Sequence, residues 1–312
     1  MPHADRWRAI GAEHGPLPTL IVIGGPTASG KTHAAASLAH QLGTEVISAD
    51  SRQFYHAMRI GTARPVADEL LGVKHHFLGH LELDDTWSAG VFARLAEPVL
   101  QGILERYGIA VLVGGSGLYI DALCNGLDPL PLSDPAVRNR LQLQLEREGL
   151  GTLVERLHTL DPAIWATIDR ANPHRVIRAL EICLLSDAPA STQRSGPVQR
   201  TDIRIVRLAM DLPREELYDR IDARVDRMVA DGLVEEAHAL LPRRHLNALN
   251  TVGHKELFDH FDGSLTLQQA IALIKQHTRN YAKRQMTWLR RDASWKWLAP
   301  TDIDGMLHAV PG

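Results

Sequence analysis

Residues 24–32 read GGPTASGKT, between the apolar run 20–23 (LIVI) and a helix-like segment, 33–42. Gly25, Gly30, Lys31 and Thr32 stand at the fixed places of G-x-x-x-x-G-K-[ST]. In such a loop the glycines let the backbone fold round a phosphate, so that successive N–H groups point at it. The following helix adds the positive end of its dipole. Lys31 supplies a point charge to the terminal phosphate, and Thr32 offers a hydroxyl to Mg²⁺. A strand before the loop, a helix after it and the Lys-Thr pair within it make the pattern specific. It leaves open which phosphate compound is held, and which group moves.

Working outward, Ala34, Leu38 and Leu42 recur at helical spacing, and residues 45–49 (EVISA) read as a short strand ending on Asp50 and Ser51. Ligands of an open parallel sheet lie beyond the carboxyl ends of its strands, so a carboxylate there would face the same crevice as the phosphate loop. Asp50 is thus a candidate for chemistry beside the phosphate. It is equally a candidate cap for a helix starting in DSRQFY. Residues 109–113 (IAVLV) form a continuously apolar run bounded by glycine, as in a buried strand. It ends in GGSG, 114–117, where a nucleotide hydrolase of this class carries an acidic residue for Mg²⁺. That substitution argues against a motor or switch ATPase and makes Ser116 a candidate substrate contact.

The loop 59–65 (RIGTARP) offers a glycine and two arginines to a polyanion, or to solvent. A helix is expected from Ser88, with Val91, Phe92, Leu95, Val99 and Ile103 on one side, and with a kink or a fresh start at Pro98. From Asp128 the text turns proline-rich (DPLPLSDP), then charged and helix-periodic to about Ser195, which reads as a helical insertion. Residues 203–212 look like a returning strand and 215–241 a helix pair, with Leu217, Ile221, Val225 and Met228 inward. In 265–297, Ile271, Ile274, Tyr281, Ala282, Trp288 and Leu289 share a helix face. Lys275, Arg279, Lys283 and Arg290 fall within an arc of about 80° elsewhere. Six Lys/Arg and no acidic residue lie between Lys275 and Arg291. This reads as a solvated basic face or as a phosphate-tracking surface for nucleic acid. His75, His76 and His80 lack metal-ligand spacing.

The 312 residues suffice for a sizeable core, and 45% hydrophobic with 23% charged residues is ordinary for a globular protein. A net charge of -3 argues against a wholesale nucleic-acid coat but permits a local basic surface. Two distant cysteines, Cys124 and Cys183, indicate neither disulfides nor a thiolate zinc site, so a reducing cytoplasm is the expected compartment. No signal peptide or membrane span is expected.

In order along the chain, GPTASGKT, ISADSRQFY, GTARP, LVGGSGLY, DPLPLSDPAVR, NPHRVIRALE, VGHKE and AKRQMTWLRR together resemble the tRNA dimethylallyltransferase (tRNA isopentenyltransferase) family of bacterial type, over residues 20–297. The resemblance implies an α/β fold: a P-loop NTPase-like core with a parallel sheet flanked by helices, plus an inserted helical domain. The expected division is an extension, 1–18; a discontinuous catalytic core, 19–127 and 200–300; a tRNA-binding insertion, 128–199, that grips the anticodon stem-loop; and a tail, 301–312.

It also implies a reaction. A dimethylallyl group would pass from its diphosphate to N6 of the adenosine 3′ of the anticodon, with pyrophosphate leaving, Mg²⁺ as cofactor and the enzyme a monomer. Asp50 would be the base, with Lys31 and Thr32 acting on the leaving group. Gly25, Pro26, Thr27, Ala28, Ser29, Gly30, Lys31, Thr32 and Arg224 would hold the diphosphate. Asp50, Ser51, Arg52, Gln53, Ser116, Arg138, His174, Arg175, Arg178, Asn250, Gly253, His254 and Lys255 would touch tRNA. Three positions depart from the family's pattern: Ser116 for threonine, His254 for tyrosine and Arg64 for lysine. The alternative from the first half alone is a small-molecule kinase using ATP, and a non-catalytic RNA-binding protein is a further one.

Overall fold

The computed structural model describes residues 17–128, 130–193, 196 and 200–310. The expected extension lies outside them except for Leu17 and Pro18. Two compact units are present, one formed by residues 1–124 with 200–312 and the other by 125–199.

The first unit is built on six parallel strands: β1 (Thr19–Gly24), β2 (Val46–Ser48), β3 (His75–His76), β4 (Ile109–Gly114), β5 (Arg204–Met210) and β6 (Lys296–Leu298), in the order β3-β2-β4-β1-β5-β6. β1 is central, with Ile21 opposite Val111 on one side and Val206 on the other. Its side chains alternate between two cores, which is why the strand is apolar throughout. Ile21 and Ile23 pack with Ala35, Leu38 and Ala39 of helix α1 (Lys31–Leu42), whereas Leu20 and Val22 belong to the larger core on the opposite face. That larger core receives α2 (Ala89–Tyr107), which Ser88 caps by accepting the Val91 N–H at 3.2 Å.

α2 runs without a new start through Pro98. Its buried face is Phe92, Ala96, Leu100, Ile103 and Leu104, so the expected stripe is turned by part of a residue and Leu95 points outward. The two short edge strands β3 and β6 were not anticipated, since two or three residues carry no readable period. After α3 (Gly117–Asn125) the chain enters the helical unit, with α4 (Pro135–Leu160), α5 (Pro162–Thr167) and α6 (Pro173–Ser186). α4 is two helical pieces, because Gly149 adopts φ 82° and interrupts the helical backbone. Leu141, Leu153, Leu157, Ile164, Val176, Ile177 and Leu180 form this unit's own core.

On return, β5 is followed by α7 (Arg214–Ala230), α8 (Leu233–Leu240), α9 (His254–Phe261) and α10 (Leu267–Leu289). Residues 303–309, read from sequence as tail, form α11 (Ile303–Ala309) and bury Met306 in the core beside α1. No helix among the described residues is long and apolar enough to cross a membrane.

Candidate active site

The loop between β1 and α1 takes left-handed backbone at Ala28 (φ 64°) and Gly30 (φ 86°). Only glycine adopts that geometry freely, so Ala28 holds local strain. Lys31 opens α1 and is buried, its Nζ donating to the Pro26 carbonyl at 3.3 Å. Burial brings the ammonium down to about pKa 8, against the opposing pull of the Asp50 charge and with a small push from Arg224. Ser29 Oγ is buried with no partner. Arg224, on α7, is half-buried and makes no hydrogen bond to any described residue, and burial foremost lowers its pKa. The loop therefore presents a hydroxyl and two cations whose desolvation no carboxylate hydrogen bond offsets, which is what an anion site requires.

Lys31, Thr32, Ser48, Asp50 and Gln53 line one open cavity with His75, Val113 and Gly114. Asp50 follows β2 in a turn, not at the head of a helix, and its Oδ1 accepts the Arg52 N–H at 3.3 Å. The expected helix cap is therefore corrected to a turn: the carboxylate braces its own turn and lines the cavity it shares with Lys31 and Thr32. Ser116 ties that turn down. Its Oγ accepts the Ser51 N–H at 3.1 Å and donates to Ser51 Oγ at 3.1 Å. Tyr281 stands beside it, its phenol pushed up to about 12 by burial, with the Asp50 charge adding to it. The expected substrate contact is accordingly a brace beneath Asp50.

The glycines of GGSG answer to α10. A Cβ on Gly117 would stand 2.2 Å from the Trp288 ring, and one on Gly115 would stand 2.2 Å from Gln285 Nε2. Gln285 itself is nearly buried; its Oε1 accepts the Thr27 N–H at 2.8 Å and its Nε2 donates to Gly115 O at 2.9 Å. Sequence reasoning passed over it. The available signal was a polar residue on a buried face, between Ala282 and Leu289 at helical spacing.

The residues expected at tRNA divide into several groups. Arg52 donates to the carbonyls of Asn247, Ala248 and Asn250 at 3.0–3.3 Å, and Gln53 to those of Thr62 and Ala63, so both hold loops. Gly253 (φ 100°) heads α9, and its N–H donates to Glu256 at 2.8 Å. His254 is fully buried, so it does not reach a bound macromolecule, and that expectation is corrected. Its Nε2 lies 3.3 Å from Glu236, whose carboxylate accepts the N–H groups of Arg59, Ile60 and Gly61 at 2.7–2.9 Å. Asn250 and Lys255 are exposed.

In the helical unit, Arg178 and Arg138 both point at the fully buried Glu181, at 2.8 and 3.5 Å. His174 and Arg175 stay exposed, their backbone N–H groups capped by Asn172. The basic face of α10 is also partly spent: Lys275 pairs with Asp226 at 2.6 Å and Arg279 with Asp222 at 2.5 Å, both on α7. Among the histidines, His76 meets Glu45 at 2.6 Å. No group of three or more His, Cys, Asp or Glu suited to a metal occurs among the described residues.

The IPP transferase family profile matches residues 53–292. The chain belongs to the IPP transferase family. It is 47% identical over 278 residues to a tRNA dimethylallyltransferase of Christiangramia forsetii, covering 89% of this chain and 92% of that one. The full-length tRNA isopentenylpyrophosphate transferase of Bacillus halodurans, a crystal structure, superposes with a TM-score of 0.68 at 38% identity, covering 94% and 93% of the two chains. A eukaryotic dimethylallyltransferase crystallised acting on tRNA shares the fold, with a TM-score of 0.75 at 24% identity over 92% of this chain and 75% of that one. In this IPP transferase the structure puts the phosphate loop, Asp50 and the acid-free end of β4 around a single cavity.

Proposed function

We propose that this IPP transferase moves a dimethylallyl group from dimethylallyl diphosphate to the exocyclic N6 of the adenosine 3′ of the anticodon in tRNA, releasing pyrophosphate, as a cytoplasmic monomer. The observation that carries the reading is the shared cavity, which Lys31 and Thr32 of the phosphate loop line together with the strand-end carboxylate of Asp50. That the relatives include tRNA dimethylallyltransferases supports the same donor and acceptor.

The allylic C–O bond breaks with its electron pair passing to the diphosphate, and the N6 lone pair forms the new C–N bond. Lys31, Arg224 and the loop N–H groups stabilise the negative charge that grows on the leaving oxygen. N6 is a weak nucleophile because its lone pair is delocalised into the purine, so Asp50 takes its proton as the bond forms. The adenosine leaves its stack to reach the cavity. His174 and Arg175 of the helical unit, and Lys255 of the core, supply exposed groups for the anticodon stem-loop.

The donors fit a magnesium ion that rides mainly on substrate. Thr32 offers a hard oxygen, and no cluster of three or more His, Cys, Asp or Glu suited to a metal stands among the described residues. When bound, Mg²⁺ neutralises charge on the departing pyrophosphate. The kinase alternative explains only the phosphate loop, and no observation favours it.

The test is transfer of labelled dimethylallyl to unmodified tRNA by the native chain and by Asp50→Ala. Native transfer, with a loss of about 10²–10⁴ in rate and retained tRNA binding in the variant, is expected for a general base. A native protein that transfers nothing yet consumes ATP overturns the reading.

A further inference from the structure

Helix α10 enters the first unit far in sequence from the phosphate loop, yet one of its side chains is hydrogen-bonded into that loop. We propose that Gln285 is a positioning residue for the diphosphate donor, holding the phosphate loop at the spacing from Asp50 that transfer requires. This rests on the dimethylallyl-transfer reading above.

Both ends of the amide are used. Oε1 accepts the Thr27 N–H at 2.8 Å, which fixes the loop one residue before its left-handed turn at Ala28. Nε2 donates to Gly115 O at 2.9 Å, where β4 delivers the chain to Ser116. One helical turn earlier, Tyr281 stands beside Ser116, which in turn holds Ser51 beside Asp50. A single face of α10 therefore grips the donor loop through Gln285 and lies beside the brace of the base loop at Tyr281. Among the described residues Gln285 makes no hydrogen bond to the base turn itself, so its loss should be felt by the donor and not by the acceptor. Gly115 belongs to the same device, because any Cβ there would displace the amide nitrogen.

The experiment compares steady-state transfer by the native chain, Gln285→Met and Gly115→Ala, with thermal unfolding measured on each. Methionine keeps the volume and removes both hydrogen bonds. Losing one or two such bonds predicts a KM for dimethylallyl diphosphate raised about three- to tenfold, with the KM for tRNA within about twofold of native. Gly115→Ala, which pushes the amide aside, should show the same split. Titration with inorganic pyrophosphate in the absence of tRNA gives a second readout and should weaken by the same factor, so a variant with low turnover still tests the idea. Equal rises in both KM values, or an unchanged KM and pyrophosphate affinity in folded variants, overturn the proposal. If the native chain itself transfers nothing, it is the dimethylallyl-transfer reading that falls.

Discussion

The phosphate loop and the two basic helices, α6 and α10, all carry cations that the sequence marks as anion contacts, and folding treats them in opposite ways. Around the loop, among the described residues, Lys31 donates only to a backbone carbonyl, and Arg224 makes no hydrogen bond although half-buried. On the helices, Arg178 of α6 converges with Arg138 of α4 on Glu181, while Lys275 and Arg279 of α10 are claimed by Asp226 and Asp222. A buried cation without a carboxylate raises the free energy of the empty protein and recovers it when an anion arrives. A cation already paired has little to offer a ligand and is part of the fold. The comparison separates groups kept for substrate from groups consumed by architecture, a distinction that residue type and spacing do not reveal.

The largest expected effect lies in the loop. Lys31→Met should lower kcat/KM for dimethylallyl diphosphate by about 10²–10³, as for loss of one preorganised charge donor to a leaving group. Its pH dependence gives an independent check. In the free enzyme Lys31 has a pKa of about 8, so it is charged below that pH and neutral above it. The donor's kcat/KM, which reports free-enzyme groups, should therefore fall as pH rises through about 8. Lys31→Arg, which stays charged, should abolish that inflection whatever its absolute rate. A native profile flat to pH 9 would mean that the ammonium is not what the donor meets.

A smaller effect is expected where the cations are paired. Glu181 is fully buried and accepts Ser133 Oγ and the Asp134 N–H as well as both arginines. Glu181→Ala leaves these donors stranded and should destabilise the helical unit by about 3 kcal/mol, measured by denaturant unfolding. Arg178→Ala should likewise act on stability, with transfer by the folded protein close to native. The opposite pattern, an unchanged unfolding midpoint with weakened tRNA binding, would return Arg178 to the nucleic-acid surface and erase the contrast.

How much was legible follows the same line. The strand–loop–helix at 20–42 is encoded within 23 consecutive residues, so local spacing was enough to place Lys31 and Thr32. β1 and β4 were readable because both of their faces are buried, which makes the sequence apolar without interruption. β3 and β6 owe their existence to neighbouring strands and left no period of their own. His254 looked like a contact because it stands in a motif, but its burial against Gly61 and Glu236 depends on residues about 190 and 20 positions away. Gln285 shows the same limit from the other side: its partner Thr27 is 258 residues distant. Ser116 was read from sequence as a substrate contact, and only the structure shows its hydroxyl hydrogen-bonded to Ser51.

The finest division of the comparison lies between two lysines of the first unit. Lys255 is exposed at the head of α9 with no pairing carboxylate among the described residues, and Lys275 on α10 is held by Asp226. If pairing decides availability, Lys255→Ala should weaken tRNA binding about threefold and reduce the slope of log affinity against log salt by about one, the signature of one lost phosphate contact. Lys275→Ala should leave affinity and slope unchanged and lower thermal stability by about 1 kcal/mol or less, because the Asp226 side of the pair is open to solvent. Binding measured at several salt concentrations separates the two outcomes without any need for turnover. Should Lys275→Ala flatten the salt slope as much as Lys255→Ala, its ion pair with Asp226 opens when tRNA arrives. The basic stripe of α10 would then act as a nucleic-acid surface whose charges are masked until the substrate competes for them.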